Sequence, residues 1–133
     1  MLGTEPQIVE QYVASGQVQL IFIDALDGVQ VATNLHIMAH CAGLQDPALF
    51  WAAHDYIFTN ANQFLGRQSD AQLILDAGEQ IGADRAQLEA CTADGTGQQA
   101  VEALAKVRDE RGVRGRPVFD IGDQRLLAAK DFT

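Results

Sequence analysis

The chain has 133 residues, enough for one domain with a real core. With 47% hydrophobic and 20% charged residues it is of ordinary globular composition, which argues against disorder, and no apolar run reaches the ~18 residues of a membrane span. Nine Lys+Arg against eighteen Asp+Glu give a net charge of −9, which argues against nucleic-acid and anionic-membrane partners. No basic segment followed by an apolar one opens the sequence MLGTEPQ, so a cytoplasmic location is expected.

Residues 4–15 predict a helix, with Thr4 as N-cap, Pro6 in the first turn, and Ile8, Val9, Tyr12 and Val13 as its apolar stripe. Residues 17–24, QVQLIFID, predict a strand apolar on both faces, the pattern of a covered central strand. From about Val31 to Gly112 the pattern is helical, divided at Gly43–Pro47, Asn60–Ser69, Gly82–Asp84 and Thr92–Gly97. Ser69, Asp84 and Thr96 are the candidate N-caps of that block. Ala100, Val101, Leu104 and Val107 share one face of its last helix. The runs PVFDI (117–121) and QRLLAA (124–129), separated by Gly122–Asp123, predict a tight hairpin. Helix, strand, helical block and hairpin suggest an α/β or α+β fold whose small sheet is covered by helices.

Four stretches carry a family likeness. TEPQIVEQYVASGQVQLIFID, MAHCAGLQDPALFWAAHDYIF, IGADRAQLEAC and GVRGRPVFDIGDQRLLAA occur in the order, and with the residues, of the DsbA-like thiol–disulfide oxidoreductases. The chain resembles that family over nearly its whole length. The resemblance implies an α/β, thioredoxin-like fold of DsbA type, a single domain over 1–133 with a helical insertion at about 31–112. It also implies that the family's first strand and Cys-x-x-Cys precede Met1, and that its closing helix follows the hairpin. The domain is therefore expected to be truncated at the N-terminus and to lack the C-terminal helix, and a full-length parent is expected to be extracytoplasmic. The missing strand would lie between residues 18–23 and 118–121. Its absence would leave open edges, for which a homodimer is the expected remedy.

By the same resemblance Pro117 is the family's cis-proline, so Gly115, Arg116 and Pro117 form the expected peptide-binding loop; a trans proline opening an edge strand is the alternative. Arg114 and Arg116 bring positive charge to that loop. Because no Cys-x-x-Cys occurs here, no catalytic residue is assigned, and dithiol activity is expected to be absent. A non-enzymatic peptide- or protein-binding module is the rival function, with a peptide or protein as partner.

Cys41 and Cys91 are the two thiols. Some family members pair cysteines at matching places; two buried free thiols are equally compatible with the sequence, since a cytoplasmic location opposes oxidation. His36 and His40, four apart in HIMAHC, could join Cys41 or His54 on a metal. Ile37 stands where a metalloprotease helix needs Glu, so the two histidines read instead as polar positions on an exposed helix face, and no metal and no cofactor is assigned. His54–Asp55 reads as a packing or capping pair. The cluster of Phe50, Trp51, Tyr56, Ile57 and Phe58 reads as core.

Overall fold

A computed structural model describes residues 3–68 and 70–127. The first helix, α1 (Glu5–Ile8), continues as a π-helical turn over Val9–Val13, closed by Ala14 N–H on the Val9 carbonyl at 2.9 Å. The helical block divides into α2 (Gln30–Gln45), α3 (Pro47–Thr59), α4 (Ala71–Gln80), α5 (Arg85–Ala93) and α6 (Thr96–Glu110), with a 3₁₀ turn at Ala61–Gln63. The hairpin pairs β1 (Val118–Ile121) with β2 (Gln124–Leu127) antiparallel, in the register Val118–Leu127 to Ile121–Gln124. Ala128 and Ala129, the end of the predicted second strand, lie outside the described residues.

Carboxylates punctuate the helices. Asp46 accepts the Ala48 N–H, Asp70 that of Gln72 and Asp84 that of Gln87, each capping a helix start at 2.9 Å. Two predicted caps are corrected. The cap of α4 is Asp70, and Ser69 lies outside the described residues. At α6 the N-cap position belongs to Gly95, at φ +80°, while the Asp94 side chain accepts the Thr96 N–H at 2.8 Å. A left-handed residue suits glycine, so Thr96 is pushed one place into the helix.

Helix α2 is the hub. It is apolar around most of its girth, burying Val31, Leu35, Ile37, Met38, Ala39, Cys41 and Ala42, and α3, α4, α5 and α6 all pack on it. Leu88 of α5, Val101 of α6 and Phe64 complete the centre. Gly97 allows α6 its close approach: a Cβ there would sit 2.5 Å from Cys41 Sγ and 2.9 Å from Ile37 Cγ2. Cys41 and Cys91 are joined by a disulfide that ties α2 to α5.

The strand predicted at 17–24 is not one. The segment joins no ladder, and β1 pairs only with β2 among the described residues. A strand needs a neighbour to share its main-chain hydrogen bonds, and alternating apolar residues do not supply one. Val18 and Ile21 accordingly stand exposed, at 45% and 69%. The segment instead uses Phe22, which packs on Phe50 and His54, and Asp24, which is buried. Among the described residues no helix is long and apolar enough to cross a membrane.

Candidate functional site

The loop Asp24–Asp27 is where the polar side chains converge. The Asp24 carboxylate is 1% exposed. Burial alone would strand a charge, but two imidazoles from one face of α2 meet it: His36 Nδ1 at Oδ1, and His40 Nε2 at Oδ2, 2.6 Å away. Burial pushes the Asp24 carboxyl up, yet the hydrogen bonds from His36 and His40 outweigh it and hold the group below the ordinary aspartate range. The four-residue spacing that suggested a polar face thus serves a buried partner, and neither histidine is on an exposed face as predicted.

Two arginines hold the rest of the loop. Arg108, near the end of α6, donates to the Leu26 carbonyl at 3.0 Å. Arg116 donates to the Ala25 carbonyl at 3.3 Å and to Asp27 Oδ2 at 2.8 Å. The Arg116 hydrogen bond, and then the Val29 N–H, keep Asp27 below its ordinary range. The Arg116–Pro117 peptide bond is cis. Gly115 and Arg114 beside it are exposed. The loop 115–117 and the loop 24–27 therefore lie together, joined by Arg116, with β1 leading away from Pro117.

His54 forms the apolar end of the same region. It is 4% exposed and ringed by Phe22, Trp51 and Phe58, with Phe50 bridging from Phe22 to His40. Its Nδ1 meets Asp55 Oδ1 at 3.0 Å. Its Nε2 lies 3.7 Å from Glu5 Oε1, beyond hydrogen-bond reach, and neither Nε2 nor Glu5 Oε2 has a hydrogen-bond partner among the described residues. Burial raises the Glu5 carboxyl above its ordinary range, against the opposing pull of His54. An acid whose pKa is raised by folding contributes its full stability below the unfolded value and loses it as pH rises through the folded one. Glu5→Gln is therefore expected to add up to about 1 kcal/mol at neutral pH and to flatten the fall in stability above pH ~4.5, read by urea unfolding at several pH values.

Cys41 and Cys91 belong to none of this; their bond lies where α2 faces α5 and α6. Among the described residues no group of three or more His, Cys, Asp or Glu side chains is arranged to hold a metal ion. Asp24 is the residue of this cluster that the sequence pattern does not single out. Its signal was a single acidic residue closing an apolar run, sixteen residues before the second of two histidines one helical turn apart.

In comparison with known proteins, the model of the thioredoxin family matches residues 2–133. A search of the curated proteins finds no match, and neither does a search of the solved structures. With a match over nearly its whole length and a helix-dominated α/β architecture, the chain belongs to the thioredoxin family.

Proposed function

We propose that this chain is a DsbA-like member of the thioredoxin family that binds an extended peptide along β1, without Cys-x-x-Cys chemistry of its own. The observation that carries this is the free side of β1. The strand pairs with β2 alone, and no other main-chain segment among the described residues bonds to it. In an antiparallel pair alternate residues turn their N–H and C=O groups outward, and an extended peptide can take them up as an added strand. The cis bond at Pro117 opens the strand, and the contacts of Arg116 with Ala25 and Asp27 hold the adjoining loop in place. No thiol lies in that loop: the two cysteines of the sequence are at 41 and 91 and bonded to each other.

The test separates main-chain from side-chain binding. A fluorescent extended peptide is titrated against the full chain beside an isomer N-methylated at alternate residues. Strand addition is expected to lose about tenfold or more in affinity on N-methylation, since each main-chain hydrogen bond is worth about 1 kcal/mol. Equal affinity of the two peptides would contradict it.

A second copy of the chain is the rival occupant of that surface. Ile121 and Leu127 on the hairpin are 63% and 68% exposed, which supports self-association through it. A mass that rises from monomer to dimer with concentration in sedimentation would favour the homodimer.

A further inference from the structure

The two cysteines of the disulfide differ in exposure. Cys41 is 1% exposed, on the buried side of α2, with Gly97 of α6 close against its Sγ. A Cβ at Gly97 would sit 2.5 Å from Cys41 Sγ, so the α6 backbone covers that sulfur at Gly97. Cys91 is half-buried, and the disulfide borders an open groove of about 270 Å³ whose lining includes both cysteines, Leu44, Gln87, Asp94 and Thr96. Leu44 is 66% exposed and gives the groove an apolar lip. Asp94 is the one charged side chain lining the groove among the described residues. It follows Cys91 by three residues, a spacing that brings side chains together at a helix end. Its carboxylate is held by Thr96, whose hydrogen bonds keep it ionised.

We propose that this groove is a thiol-exchange site, at which a thiol of neutral or positive charge opens the Cys41–Cys91 bond by attack on Cys91 alone. The step balances as an exchange. The incoming thiolate forms a new S–S bond to Cys91 Sγ, the Cys41–Cys91 bond breaks, and Cys41 leaves with the electron pair and takes a proton from water. The reverse attack by the Cys41 thiolate on the mixed disulfide expels the thiol and restores the bond, so the modification is reversible. Cys41, at 1% exposed, offers an incoming thiol far less surface than half-buried Cys91. Asp94 repels an anionic thiol and favours a cationic one.

The experiment uses the oxidised full chain in native buffer with three thiols: cysteamine (cationic), 2-mercaptoethanol (neutral) and 2-mercaptoethanesulfonate (anionic). Each rate is divided by the same thiol's rate with a small free disulfide. After acid quench and alkylation, peptide mapping is expected to find the adduct on Cys91 and the alkyl group on Cys41, by about tenfold over the reverse. The normalised rate with cysteamine is expected to exceed that with the sulfonate by about fivefold, because Asp94 attracts one charge and repels the other across salt-screened water. Asp94→Asn, which keeps the oxygen that caps Thr96, is expected to bring that ratio near one. Adducts on Cys41, an even split, or exchange only in urea would overturn the one-sided site in the unmutated chain, whatever the variant does. A charge order that Asp94→Asn leaves unchanged would overturn the role of Asp94.

Discussion

Cys41→Ala/Cys91→Ala is expected to lower the folding free energy by about 4 kcal/mol, since the bond closes a loop with a sequence separation of 50. In the chain-entropy account that figure comes from the unfolded chain, whose freedom the bond removes. Domains of this kind hold only about 5–15 kcal/mol in all, so the loss is a large part of the total. Alanine is the better replacement at 41, because serine would bury a hydroxyl against Gly97 at a position only 1% exposed. Urea unfolding of the oxidised parent and the double variant measures the difference, and the parent under dithiothreitol should approach the variant. A loss below about 1 kcal/mol would mean that the packing of α5 and α6 on α2 already holds this region without the bond.

Asp24→Ala is expected to cost about 3 kcal/mol at neutral pH. The carboxylate accepts from His36 and from His40, and a hydrogen bond to a charged group is worth about 1.5–3 kcal/mol. The lower end applies to each, because both imidazoles keep some contact with water and can recover part of the loss. The pH dependence gives the signature. A carboxyl whose pKa is lowered by folding contributes stability that is present above its unfolded value, about 3.9, and is lost as pH falls through the folded one. The gap between parent and Asp24→Ala should therefore be widest near neutrality and narrow below pH ~4. Parallel curves through that range would show that the two histidines do not hold an ionised Asp24. Because Asp24 begins the loop that Arg116 grips, the variant should also loosen the segment on which the cis-Pro117 loop rests.

How much of this was legible in the sequence depended on the range of the interactions. The helical block was divided at the right places because its boundaries are local: Asp46 with Pro47, Asp84, and the glycines 82 and 95 act within one turn of themselves. The hairpin was legible for the same reason, through Gly122 at φ +58° between two apolar runs. The apolar segment 17–24 was misread as a strand because strand identity is conferred by a neighbour, and its residues say nothing about whether one is in place. Asp24 was invisible as a site residue because what defines it is the pairing with His36 and His40 across a loop. The two histidines, by contrast, were singled out from their spacing, but without the carboxylate they face. Glu5 illustrates the same limit: it is ordinary in sequence, and its burial beside His54 gives it its character. The likeness of the four quoted stretches was spread over the chain, as is the family match over residues 2–133.

The central claim is that the free side of β1 takes an extended peptide. The most direct measurement is an amide nuclear magnetic resonance titration of the isotope-labelled full chain with the unmethylated peptide. Saturable shifts are expected at Val118–Ile121 and at Gly115 and Arg116, with the amides of α4 and α5 unmoved. No shift at the highest peptide concentration, or shifts confined to the groove beside Cys91, would contradict it.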